Sequence, residues 1–139
     1  MSMSANKLSI FFKQRLEKVY SRSEDQFLES IILVFEEKTL KINAAGADDS
    51  IHFQIIDNDN LRIDLLTNVS RTDPWTDIIG KEFVYGWVAV NHQGYLDSLM
   101  ISFEDIFPKI IFNVVGSSIH TGIINFQGNQ ANFMECRNE

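Results

Sequence analysis

The chain has 139 residues, of which 45% are hydrophobic and 12% aromatic, including eleven Phe. That composition furnishes one hydrophobic core and excludes a disordered chain. The net charge of −7 repels a phosphate backbone, which excludes generic nucleic-acid binding.

The polar N-terminus, with Lys13 and Arg15 interrupting the apolar residues behind it, contains no signal-like apolar segment. Leu8, Phe12, Leu16 and Val19 recur at helical spacing, and Phe11 and Tyr20 widen the stripe. This predicts an N-terminal amphipathic helix of about four turns. Residues 1–22 carry +4 and the rest of the chain −11, so a basic helix is expected to pack on an acidic body. A membrane surface or a partner groove is its alternative seat.

Beyond Ser21–Asp25 the hydrophobic period falls to two, the signature of strands with one wet face. Phe27–Glu36 and Thr39–Ala44 read as a hairpin, and the segment Ala45–Asp49 turns the chain. Ile51, Phe53 and Ile55, then Leu61, Ile63 and Leu65, read as a second hairpin. Asp73-Pro74 is expected to start a short helical turn near 73–79 that Gly80 ends. Glu82–Asn91 is apolar on both faces and is expected to be a central strand. Leu96–Glu104, Lys109–Val115 and Ile119–Phe126 resume the alternation. The predicted fold class is therefore α+β, one helix on a curved antiparallel sheet of about 6–8 strands. It forms a single domain, 1–139, with 1–5 and 128–139 flexible. One helix cannot cover both faces of such a sheet, so the sheet must curl, fold into two layers, or pair with a second copy as a C2 homodimer.

No catalytic constellation is present. Asp57-Asn58-Asp59-Asn60 resembles the start of a calcium loop, but Arg62 stands where that loop needs glycine and Asn68 where it needs a bidentate Glu. His52, His92 and His120 have no metal-ligand spacing. Ser118 and His120 sit two apart on a strand without a third orienting group. The glycines form no phosphate loop. No metal and no cofactor is implied. The single cysteine, Cys136, excludes an internal disulfide framework and, with the absence of an apolar run long enough to span a bilayer, fits a cytoplasmic protein without stable membrane insertion.

Amphipathic aromatics and polar turn residues concentrate in one hairpin, and Trp87, Asn91, His92, Tyr95 and Asp97 are the candidate binding residues. Asn91, Gly94 and Asp97 equally suit a tight turn, and Trp87 and Tyr95 equally suit bracing the sheet. The run Ile79-Gly80-Lys81, Trp87, Asn91, Gln93-Gly94-Tyr95-Leu96-Asp97 and Phe103, with Ser117 and Ile119, resembles small uncharacterised bacterial domains of unknown function over roughly residues 30–125. That resemblance implies a bacterial origin and no assigned activity. The expected role is a non-enzymatic protein-interaction module, immunity-type or regulatory, that binds a protein partner through an acidic surface. The alternative is a small-molecule binding domain or weak enzyme with a pocket under the curved sheet.

Overall fold

The computed structural model describes residues 5–45, 49–127 and 130–136, with side chains over 7–45 and 49–124. Strands β1 (Leu16–Glu24), β2 (Phe27–Phe35), β3 (Lys38–Ala45), β4 (Ser50–Asp57) and β5 (Thr67–Asn68) form one antiparallel sheet in the order β4-β3-β2-β1-β5. Strands β6 (Phe83–Val90), β7 (Leu96–Phe103), β8 (Ile110–Val115), β9 (Ser118–Gln127) and β10 (Gln130–Cys136) form a second in the order β10-β9-β8-β7-β6.

Period-two alternation sends one set of side chains from each sheet into a shared core. Leu40 and Ile42 of β3 and Ile51 and Phe53 of β4 meet Leu99 and Ile101 of β7 and Phe112 and Val114 of β8 there. Four buried rings, Phe11, Phe35, Phe83 and Phe103, anchor one end, with neighbouring centroids between 4.8 and 6.4 Å apart. Tilted, edge-on and stacked pairs of this kind add to the stabilisation that burial alone supplies. At the same end the segments leading into β1 and β6 exchange backbone hydrogen bonds with those strands. Lys13 N donates to Phe83 O and Phe83 N to Gln14 O, each at 2.9 Å, and Gly80 N donates to Leu16 O at 2.7 Å.

This architecture corrects the expected α+β fold. No four-turn amphipathic helix forms at the N-terminus. A 3-10 helix covers Ala5–Phe11, and β1 begins at Leu16. The helical spacing is real in sequence, but two different elements bury it, Leu8 and Phe11 from the 3-10 helix and Leu16 and Val19 from a strand. Between them Lys13 adopts φ 69°, which ends any helix, and Phe12, a member of the supposed stripe, is half exposed. The single curved sheet of 6–8 strands is replaced by two sheets in two layers.

The expected strand around Leu61, Ile63 and Leu65 is also absent. Leu65 is 88% exposed with φ 66°, while Leu61 and Leu66 pack against Tyr20, Ile32 and Val34 on the outer face of the first sheet. That connection covers a surface where a paired strand could not. The turn near 73–79 is a 3-10 helix, Trp75–Asp77, and Asp73 accepts from Thr76 Oγ1 at 2.9 Å instead of capping the backbone. β6 is an edge strand, not a central one. Of the termini expected to be flexible, Gln130–Cys136 pairs with β9, and 1–4, 128–129 and 137–139 lie outside the described residues, as does 46–48 of the expected turn.

Candidate functional site

The hairpin of β6 and β7 holds all five residues singled out from sequence, and it uses them differently. Asn91 is the turn's organiser. Its Oδ1 accepts from Gln93 N at 2.9 Å and Tyr95 N at 3.1 Å, while its backbone N–H donates to Tyr95 O at 2.8 Å. Gly94 adopts φ +90°, a conformation that any side chain strains. His92 is exposed at the tip, and Tyr95 is 42% exposed beside it. Asn91 thus has a local structural job, which leaves Trp87, Tyr95 and Asp97 as the surface-forming members, with His92 at the tip.

Strand alternation then sorts the hairpin into two faces. Val88 packs against the core, so Trp87 and Ala89 point outward. Trp87 lies opposite Met100, Met100 opposite Ile111, and Ile111 opposite Gly122, a line across β6, β7, β8 and β9. Trp87, Met100 and Ile111 are half-buried, and the Tyr85 ring, 51% exposed, lies 6.0 Å from Trp87. Among the described residues, the side chains of Trp87, Met100 and Ile111 belong to neither of the two hydrophobic clusters. The outer face of the first sheet, by contrast, is covered by Leu61 and Leu66. Tyr85, Met100 and Ile111 were missed in the sequence because only cross-strand register places them beside Trp87.

A second feature lies on the same outer face, nearer the ends of β8 and β9. A recess of about 420 Å³ is lined by Asp97, Ser98, Asn113, Val115, His120 and their neighbours. Ser98, Asn113 and His120 are cross-strand partners in one row. The Ser98 hydroxyl lies within reach of two acceptors, Asn113 Oδ1 and, at 3.4 Å, Asp97 Oδ1. Of the five sequence candidates, Asp97 alone lines this recess, and Trp87, Asn91, His92 and Tyr95 stand outside it.

The other motifs are absorbed into the fold. Ser118 Oγ accepts from the buried Leu28 N–H at 3.0 Å, which ties β9 to β2 and occupies the hydroxyl beside His120. Asp57 pairs with Lys38, and Asn58 bridges Thr39 Oγ1 at 2.7 Å and Phe35 O at 2.8 Å, so the apparent calcium loop is a structural corner. Among the described residues no three of His, Cys, Asp or Glu converge on one point. No described helix is long and apolar enough to cross a membrane.

The profile of a family of unknown function, DUF6334, matches residues 1–127. The chain belongs to that family. The DUF6334 match takes in both sheets up to β9, a longer span than the roughly 30–125 over which the sequence resembles small domains of unknown function. No curated protein and no solved structure gives a significant match to the chain.

Proposed function

We propose that the chain is a non-enzymatic protein-interaction module that engages a protein partner through the aromatic outer face of the β6–β7 hairpin. The observation that carries this reading is the line Trp87–Met100–Ile111 with the exposed Tyr85 beside it, a half-buried apolar strip outside both hydrophobic clusters of the described residues. Rigid, amphipathic aromatics on a firm sheet contribute the largest share of binding energy at interfaces. The net charge of −7 favours a basic partner by electrostatic steering. An immunity-type inhibitor in a bacterial cytoplasm is the specific form of this proposal, and a regulatory module is the broader one.

The test is capture from native lysate at low and moderate salt, with wild-type chain and the Tyr85→Ala/Trp87→Ala double variant side by side. A partner retained by wild type and lost by the variant supports the reading. Equal capture by both, or none at either salt, removes it.

The recess favours a second reading, a small-molecule site with Asp97, Ser98, Asn113 and His120 as its polar groups. A bound ligand raises the melting temperature by mass action, so thermal-shift screening against small polar metabolites checks it. No stabilisation by any compound, or equal stabilisation of an Asn113→Ala variant, removes this alternative.

A further inference from the structure

Building on the reading of the recess as a ligand site, we propose that it takes a guanidinium group, the group that the first half of the chain brings to the equivalent place with its own Arg22.

The two sheets repeat one four-strand meander, β1 to β4 and β6 to β9. Leu28-Glu29-Ser30 through Phe35-Glu36 matches Leu96-Asp97-Ser98 through Phe103-Glu104, and Ser50-Ile51-His52 matches Ser118-Ile119-His120. The pairing repeats as well. Ser30 faces Asn43 and Asn43 faces His52, as Ser98 faces Asn113 and Asn113 faces His120. Each serine hydroxyl reaches the Oδ1 of its asparagine, at 2.6 Å in the Ser30 pair. Both registers also slip at the same point. Arg22 and Ser23 face Ser30 and Leu28, skipping Glu29, while Ala89 and Val90 face Ser98 and Leu96, skipping Asp97. A bulge of this kind re-aims the side chain of the extra residue. The equivalent rings Phe35 and Phe103 stack between the sheets at 6.4 Å.

Matching apolar residues are what two similar cores require. An acid, a hydroxyl, an amide and an imidazole at matching places on an outer face are not, so the repeat marks these four as a unit. The halves differ opposite the serine, where the first has Arg22 and the second Ala89. Arg22 Nε lies 3.7 Å from Glu29 Oε2, so the first half sets its own cation against its acid. Ala89 ends at a methyl group, and among the described residues no basic side chain pairs with the half-buried Asp97. Asp97, Ser98 and Asn113 instead line the recess of about 420 Å³. Carboxylate, hydroxyl and amide oxygens all accept hydrogen bonds, and a guanidinium is a planar cation that only donates. The recess thus has the charge and the acceptors for the group that the first half already carries.

Titration calorimetry on the full chain tests this with two probes, agmatine as a free guanidine and acetyl-Gly-Arg-Gly-amide as an arginine on a peptide. Expected is saturable binding at millimolar concentration, weakened about tenfold by Asp97→Asn through loss of a charge-assisted contact. Ala89→Arg, which gives the second half the cation of the first, is expected to weaken it as much. Glu29→Gln removes the same charge from the first half and is expected to leave the affinity within about twofold, because that carboxylate is exposed and screened. Agmatine binding assigns a free small molecule as the source and peptide binding alone assigns an arginine on a protein partner; either supports the proposal. Binding of neither probe overturns it. Equal loss in Glu29→Gln and Asp97→Asn also overturns it, since diffuse attraction to a −7 chain would give that result. Unchanged binding by an Ala89→Arg chain with wild-type circular dichroism does the same, and the near-isosteric Asp97→Asn and Glu29→Gln pair decides the matter if Ala89→Arg does not fold. If both probes fail while thermal-shift screening finds an Asn113-dependent ligand of another class, the guanidinium is overturned and the recess reading stands alone.

Discussion

A Cβ placed on Gly86 would lie 2.5 Å from Leu8 Cδ1, so the 3-10 helix Ala5–Phe11 rests directly on the backbone of β6. Leu8 is 1% exposed, which leaves its methyl group little room to move aside. Gly86→Ala is therefore expected to destabilise the protein by about 1–3 kcal/mol, the cost of overpacking a filled core. Leu8→Ala removes about 2–5 kcal/mol by itself. The double variant is expected to cost less than the sum of the two, because the collision is gone. Urea midpoints of the four proteins measure this coupling, and strict additivity would contradict it.

Gln14 holds the chain reversal that replaces the expected helix. Its Nε2 donates to Ile10 O at 2.9 Å, and its Oε1 accepts from Glu37 N at 2.9 Å and Lys38 N at 3.3 Å. Gln14→Ala is expected to cost about 1–3 kcal/mol, since partly buried backbone donors lose their acceptor. Gln14→Glu keeps the acceptor and loses the donor, so it should fall between wild type and Gln14→Ala in the same denaturation experiment.

Ser118→Ala tests the tie between the sheets. The Leu28 N–H it leaves behind is buried, and an unsatisfied buried donor costs about 1–3 kcal/mol. Hydrogen exchange should show the Leu28 amide protected in wild type and markedly faster in the variant. Unchanged exchange would mean that another acceptor takes over.

Asn91 and Trp87 separate support of the hairpin from recognition by it. Asn91→Ala loses two turn hydrogen bonds and is expected to lower stability by about 1–2 kcal/mol with partner capture intact once folded. Trp87→Ala exposes no buried polar group, so capture is expected to suffer more than the denaturation midpoint. A reversal of the two patterns would place the binding surface at the turn.

Much of the strand pattern was legible because alternation is local. Leu40 and Ile42 against Lys41 and Asn43, or Leu99 and Ile101 against Ser98, announce both the strand and its buried side, although Ser102, expected on the wet face, is fully buried. The opening segment was not legible, because Leu8, Phe11, Leu16 and Val19 satisfy a helical period while the break at Lys13 is a backbone event with no glycine or proline to mark it. Leu61 and Leu65 misled in the same way. Alternation there reflects one leucine covering a sheet and another left in solvent. At the site, composition pointed to Trp87 and Tyr95. The Trp87–Met100–Ile111 line and the Ser98–Asn113–His120 row depend on inter-strand register, which no single segment encodes.

The contacts at Lys13, Gln14 and Leu16 with Phe83, Lys81 and Gly80 also bear on how the molecule assembles. Apart from β5, which returns to β1, each strand pairs with its neighbour in the chain, so most loops that folding must close are short and either meander can grow from adjacent hairpins. Joining the two halves is the long-range step, and it draws Phe11, Phe35, Phe83 and Phe103 together in the same movement. Slow-exchanging amides should therefore cluster at that junction and report the cooperativity of the whole chain, while the far ends of both meanders breathe at lower free energy.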